Sequence, residues 1–324
     1  MNSSKNLATN TRVVFFGNEE LATGIHADHP VVLAGLIESG YTVVAVIINS
    51  VRSNKYITAS ESYAEAHAIP VYSPMSKTEL QSTIENIPAD IGVLAAYGRI
   101  VPQSVIDHFR YGMLNIPPSL LPLYRGSTPI EQLLLDGADQ TGVSIMLLDA
   151  GMDTGRIYAQ AKLGVARNIS KNNLCSSLTI LGRDTLLDTL PGVLAGNLAP
   201  RPQDDSLASY TERITKQEGR LDPQKHTAED LERQIRAYAG WPSSYFFINS
   251  KRTIVHSASA SAQTTLEAGT LQYKESQLVL GCKKGHLIID SIQPESKKAM
   301  SSSEYINSQP ILARGNSVII DPMS

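Results

Sequence analysis

Three uninterrupted apolar, β-branched runs near the start of this chain restrict its fold more than any other feature. They are Arg12 to Phe16, Thr42 to Ile48 and Ile91 to Ala96. A strand that is apolar at nearly every position is covered on both faces, as in the middle of a parallel sheet. Helix signals lie between the runs. Pro30 to Ser39 reads as a helix stopped by Gly40, and Thr58-Ala-Ser-Glu61 and Ser76-Lys-Thr-Glu79 open two more. In those two, a hydroxyl stands three residues before a glutamate, a pattern that satisfies the free N–H groups of a first helical turn. The helix opened at Thr58 has to end before Pro70. A shorter strand over Gly112 to Ile116, a helix opened by Thr128-Pro-Ile-Glu131 and ended near Gly137, and a strand over Gly142 to Leu148 follow. Alternating strands and helices predict an α/β domain with a Rossmann-like, doubly wound, mainly parallel sheet.

The pattern changes near Ala199-Pro-Arg-Pro-Gln-Asp-Asp205, which reads as a linker. Beyond it, Ala228 to Tyr238 has helical character, and short strand candidates then dominate: Tyr245 to Ile248, Thr253 to His256, Gln277 to Leu280 and Leu287 to Ile292. Cys282-Lys-Lys-Gly285 is the expected turn between the last two. Such spacing suggests a small OB-like β-barrel. The expected domains are therefore 11–198, a linker at 199–210, and 211–324.

Several function classes fall away. The first strand is followed by Gly17-Asn-Glu-Glu20 rather than G-x-G-x-x-G, and acidic side chains there repel a pyrophosphate. Neither a G-x-x-x-x-G-K-[ST] loop nor a G-x-S-x-G elbow is present. Two cysteines, Cys175 and Cys282, stand far apart with no Cys/His cluster, so no metal site is expected. Apolar residues make up 42% and charged residues 18%, an ordinary globular composition. A net charge of −3 gives no global attraction to nucleic acid. Met1 to Asn10 lacks an apolar signal core, and no apolar run reaches membrane length. The expectation is a cytoplasmic, monomeric protein with no membrane partner.

Three polar loops follow strands, where an α/β pocket forms: Ala96 to Ile100, Asn115 to Ser119 and Asp149 to Gly155. An Asn at a strand end donates to a carbonyl oxygen that gains negative charge, and an Asp nearby holds or relays a proton. Each residue taken singly is more often an ordinary turn former.

Longer motifs add a second line of argument. Asn115-Ile-Pro-Pro-Ser-Leu-Leu-Pro-Leu-Tyr-Arg-Gly-Ser-Thr-Pro-Ile130 resembles the signature of folate-dependent formyltransferases, normally N-x-H-x-S-L-L-P-x-x-R-G-x-x-P-I. Thr141-Gly-Val-Ser-Ile-Met146 and Asp153-Thr-Gly155 follow in the family's order and spacing. Gly240-Trp-Pro-Ser-Ser-Tyr-Phe246 and Ile292-Gln-Pro-Glu-Ser-Lys-Lys-Ala-Met300 are similar to the C-terminal domain of the members that formylate methionyl-tRNA. The resemblance implies 10-formyltetrahydrofolate as co-substrate and initiator methionyl-tRNA as partner. It implies catalytic roles for Asn115 and Asp153. Folate contacts are implied at Ala96, Tyr97, Gly98, Ile100, Ser119, Leu120, Leu121, Pro122, Asp149 and Gly151. For tRNA, the candidate phosphate contacts are Arg52, Lys55, Lys283, Lys284, Lys297 and Lys298. Exposed turn lysines with no partner are an equal reading of the last four. The segment Asn49 to Tyr56 is shorter and less basic than the corresponding family loop.

One departure concerns the chemistry itself. The family trio is Asn, His and Asp, and Pro117 stands where the His belongs. Proline has no side-chain donor and no N–H. Three readings follow: a slow enzyme, a substitute group or water acting with Asp153, or a chain that binds without turnover. A sugar-nucleotide N-formyltransferase, which shares the first domain, is the alternative enzyme; the stretch Gln293 to Met300 argues against it.

Overall fold

The computed structural model describes residues 10–49, 57–313 and 315–322. Two compact units emerge, one of residues 1–130 with 139–212, the other of 131–138 with 213–324.

The first unit is built on β1 (Arg12–Phe16), α1 (Val31–Glu38), β2 (Thr42–Ile47), α2 (Ala59–Ala66), β3 (Val71–Tyr72), α3 (Lys77–Glu85), β4 (Ile91–Leu94), α4 (Gln103–Ile106), β5 (Met113–Asn115) and β6 (Arg125–Gly126). After helix α5 (Pro129–Asp136), most of which belongs to the second unit, the first unit continues with β7 (Gln140–Leu147), β8 (Ile157–Gly164), α6 (Lys171–Leu194) and β9 (Tyr210–Thr211). Seven strands lie in the order β3-β2-β1-β4-β5-β7-β8. The five from β3 to β5 are parallel. Strand β7 runs antiparallel to both β5 and β8. Thr58 and Ser76 cap α2 and α3 by accepting from Glu61 N–H and Glu79 N–H, as their sequence pattern requires. Alternate residues of β1 go to opposite faces. Val13 and Phe15 pack with Leu33, Leu36, Leu186 and Leu190 under α1 and α6, while Val14 and Phe16 pack with Leu80, Ile84 and Val105 under α3 and α4. That is the two-sided burial the apolar runs demanded.

Strand β8 and the 24-residue helix α6 carry no clear signal in the sequence. Helix α6 starts at a Ser170 cap on Asn173 N–H, contains Gly182 and Pro191, and is rich in Thr and Asn. Its hold is tertiary: Leu174, Leu178, Leu186 and Leu190 are all fully buried. Residues 199–210 are tied to the first unit. Arg201 exchanges two backbone hydrogen bonds with Ile157, and β9 pairs with β6.

In the second unit α7 (Ala228–Ala237) covers an antiparallel sheet. The strands are β10 (Ser244–Ile248), β11 (Lys251–Ser261), β12 (Thr270–Lys274), β13 (Gln277–Gly281), β14 (His286–Pro294), β15 (Met300–Ser301) and β16 (Ser317–Ile319), with α8 (Ser302–Asn307) between the last two. The order β10-β11-β14-β13-β12-β16 curls around Leu231, Phe246, Leu271, Leu278, Leu287 and Ile292. Just after β16, Asp321 N–H donates to Phe247 O at 2.8 Å, and the Asp321 carboxylate accepts from Asn249 and Ser250 N–H. The two sheet edges thereby meet, leaving fewer unpaired edge groups. No helix among the described residues is long and apolar enough to cross a membrane.

Candidate active site

The strand order reverses between β1 and β4, because β2 and β3 lie to one side of β1 and β4 and β5 to the other. In open α/β sheets the ligand crevice lies at such a reversal. Gly17 ends β1 here at φ +122°, and a Cβ would lie 1.9 Å from Ala95 O, so only glycine fits. Glu19, 2% exposed, accepts from Val32 N–H at 2.7 Å and Leu33 N–H at 2.9 Å. Helix α1 has no local side-chain cap, since Pro30 stands at that position; Glu19 caps it from a distance. Burial raises the Glu19 carboxyl to about 7 against three backbone donors that lower it. A carboxylate thus takes the place where a dinucleotide fold seats phosphate.

Across the reversal, residues 95–100 follow β4. Ala96 and Gly98 have φ +54° and +70°, so the backbone turns on either side of Tyr97. Tyr97 is 1% exposed, whereas Ile100 is 68% exposed. Near the loops, two buried polar atoms have no hydrogen-bond partner among the described residues: Asn49 Oδ1 and Ser119 Oγ. A polar group buried unpaired costs about 1–3 kcal/mol. Such groups suit a ligand with several polar edges, as a folate ring has.

Asn115 closes β5. Its Oδ1 accepts from Ile116 N–H at 2.9 Å. Because a backbone N–H only donates, this bond fixes which end of the amide is oxygen and leaves Nδ2 as the donor end. Next along the chain, Pro117 is buried, and its carbonyl accepts from Ser144 N–H at 3.2 Å. The anchor uses the C=O that proline retains, not the N–H that it lacks. Ser144 Oγ donates to Ser119 O and accepts from Leu121 N–H and from Gln160 Nε2, which also donates to Leu121 O. The stretch 117–122, which contains the expected contacts Ser119, Leu120, Leu121 and Pro122, is stapled to β7 and β8. His108 lies elsewhere, its Nε2 at 3.0 Å from Ile87 O, before β4 begins.

Because β7 is antiparallel to β5, the loop after β7 does not leave from the same edge as the loop after β5. Asn115 stands opposite Met146 and Leu114 opposite Leu147, and Leu148 N–H donates to Met113 O, so the chain runs on toward the start of β5 before it turns at Asp149. Asp149 Oδ1 accepts from Gly151 N–H and Thr154 Oγ1, shaping the loop. Asp153 has φ +53°, and its Oδ2 accepts from Gly126 N–H at 2.9 Å. Burial pushes the Asp153 carboxyl up, opposed by Gly126 N–H and the Arg125 charge and aided by Asp149.

Sequence reasoning passed over two members of this arrangement. Arg125, 1% exposed, donates to Gln203 Oε1 from Nε and Nη2, to Asp205 Oδ1 and to Tyr210 Oη. Gln203 Nε2 in turn donates to Asp153 O at 2.8 Å and Gly155 O at 2.7 Å. Arg125 lay inside the quoted signature, but Gln203 sat in the presumed linker.

The basic residues do not gather. Lys283 and Lys284 precede β14, while Lys297 and Lys298 follow it, so the two exposed pairs stand at opposite ends of one strand. Arg52 and Lys55 lie outside the described residues. Among the described residues no group of His, Cys, Asp and Glu is placed to hold a metal ion.

Comparison with known proteins agrees with this architecture. Residues 35–190 match the formyl transferase family, and residues 213–310 match the formyl transferase C-terminal domain. A methionyl-tRNA formyltransferase of Lachnospira eligens is 33% identical over 93% of this chain and 98% of its own length. One from Geobacter sulfurreducens is 30% identical over 91% and 93%. Among solved structures, HypX from Aquifex aeolicus in complex with tetrahydrofolic acid superposes with a TM-score of 0.66 at 15% identity. That likeness, one of fold, covers 97% of this chain, which spans 49% of the HypX chain. Over both units, then, the chain belongs to the formyl transferase family, among its folate-dependent, methionyl-tRNA formyltransferase-like members.

Proposed function

We propose that the chain transfers the formyl group of 10-formyltetrahydrofolate to the amino group of initiator methionyl-tRNA. The observation that supports this reading is the Asn115 amide at the end of β5, pinned through Oδ1 by Ile116 N–H so that Nδ2 is its donor end. In this reading Nδ2 donates to the formyl oxygen as it gains negative charge, an interaction stronger in the transition state than in the ground state. Asp153 accepts the proton that the attacking amine gives up. A carboxyl raised by burial is a better base than an exposed one, and Gly126 N–H holds it in place. The folate meets the backbone of residues 96–98 and the stapled stretch 119–122, while Asp149 and Gly151 shape the loop beside them. Pro117 supplies shape alone, so the oxyanion has one donor fewer than in a site with histidine.

The test is formylation of methionyl-tRNA by the natural chain beside Pro117→His. The natural chain is expected to turn over slowly, and the added imidazole to raise kcat by about 10²-fold, the lower end for a positioned acid–base group. Product formed only with an amino-sugar nucleotide would overturn the tRNA assignment. Inactivity of both chains would overturn the reaction.

A further inference from the structure

Asp153 adopts a left-handed backbone conformation, which costs a non-glycine residue on the order of 1–2 kcal/mol. Something outside the loop has to hold it. Gln203 does so with both polar atoms of its side chain. Its Oε1 accepts from Arg125 Nε at 3.1 Å and Nη2 at 2.7 Å. A guanidinium only donates, so this fork fixes the amide with Nε2 on the far side. There Nε2 donates to the carbonyls of Asp153 and Gly155, at 2.8 and 2.7 Å. The guanidinium is itself fixed by Asp205 and Tyr210. One amide therefore joins the segment 125–126, whose Gly126 N–H meets the Asp153 carboxylate, to the backbone that carries that carboxylate. Asp204 and Asp205, the acidic neighbours of Gln203, are exposed at the surface.

We infer that Gln203 is a positioning residue for Asp153: by bridging Arg125 to the 153–155 backbone, it keeps the Asp153 carboxylate on Gly126 N–H. This rests on the reading of Asp153 as the proton acceptor, and it gives the segment 199–210 a task in the active site. Gln203 touches neither reacting atom; it acts through Asp153. Loss of the bridge lets the loop relax, and a displacement of about 1 Å at a reacting group costs on the order of 10²-fold in rate.

The test uses the full chain with Gln203→Ala, Gln203→Glu and Asp153→Asn. Glutamate at 203 still accepts from Arg125 but cannot donate to the two carbonyls, so it probes the bridge even where alanine unsettles the buried guanidinium. The first readout is the Gly126 amide resonance as pH is varied, with Arg125 and Asp149 the charged neighbours of the Asp153 carboxylate. In the natural chain this resonance should follow the Asp153 titration. Asp153→Asn should remove the response, and both Gln203 variants should remove it or reduce it severalfold. The second readout is formylation kinetics, where kcat should fall about tenfold to hundredfold in the Gln203 variants with folate affinity held within about threefold. A Gly126 response in both variants equal to that of the natural chain, or none in the natural chain, overturns the proposal. Loss of the response in the variants, with Asp153→Asn still formylating at the full rate, leaves the positioning role standing and removes the proton-acceptor reading instead.

Discussion

Glu19 shows how much one side chain settles. Its carboxylate, 2% exposed, caps α1 from thirteen residues upstream of Val32. Burial raises its pKa from 4.5 to about 7. A carboxyl with a raised folded-state pKa favours folding while it is protonated. Its contribution is complete below pH 4.5 and is lost as pH rises through about 7. Over that window the first unit should lose about 3 kcal/mol of stability from this group, at roughly 1.4 kcal/mol per pKa unit. Glu19→Gln, which cannot ionise, should flatten the slope, as urea denaturation of both chains between pH 5 and 8 would show; an unchanged slope would refute the assignment. The sequence displayed two glutamates after β1 and disfavoured a dinucleotide on grounds of repulsion. It did not disclose that Glu19 reaches a helix end, because the partners come from a different stretch of chain. Asn115 and Asp153 were legible through the motif around them. Gln203 was not: its role depends on Arg125 and Asp153, and a lone glutamine between Pro202 and Asp204 carries the mark of a loop.

Among elements, those with local causes were the readable ones. Strands β1, β2 and β4 declare themselves by continuous apolar runs, and α2 and α3 by their capping hydroxyls. Helix α6 declares nothing, because Thr179, Thr185 and Thr189 turn their hydroxyls back onto carbonyls four residues earlier and Gly182 and Pro191 lower its propensity. It is helical because its leucines are buried against the sheet. Gly182 lies where α6 meets Ile116; a Cβ there would be 2.8 Å from Ile116 Cγ2. Gly182→Ala sets a helix-propensity gain of about 1 kcal/mol against an overpacking cost of about 1–3 kcal/mol. The outcome should be a modest fall in melting temperature together with a lower formylation rate, since Ile116 follows Asn115 directly. A melting temperature above that of the natural chain would mean that the contact relaxes freely. The antiparallel setting of β7 is likewise a tertiary fact. Its apolar run reads the same in either direction, and only its pairing with β5, Asn115 opposite Met146, sets where the 149–155 loop begins.

For the whole molecule, the α/β sheet and the curled antiparallel sheet both follow from strand patterns that the sequence displays, although β8, β12 and β16 escaped notice because each is short or mixed in polarity. The placement of charge was less readable. Lys283 and Lys284 are separated from Lys297 and Lys298 by the length of β14, roughly 25 Å at the usual rise per residue. Two pairs that far apart would meet different phosphates of a bound nucleic acid. Replacing either pair with alanine should therefore lower the slope of log Kd against log salt by up to about 1.8, and replacing both should lower it by the sum. Loss of all salt dependence on removing one pair would show instead that a single patch does the binding. A last consequence concerns what this α/β sheet has given up. Glu19 is tethered to the same chain as the helix end it caps, so it competes there at the millimolar effective concentrations typical of short flexible tethers, or higher. A free nucleotide phosphate would have to displace that resident competitor and leave a buried carboxylate without its partners. At this strand reversal the phosphate seat is held by the chain's own carboxylate.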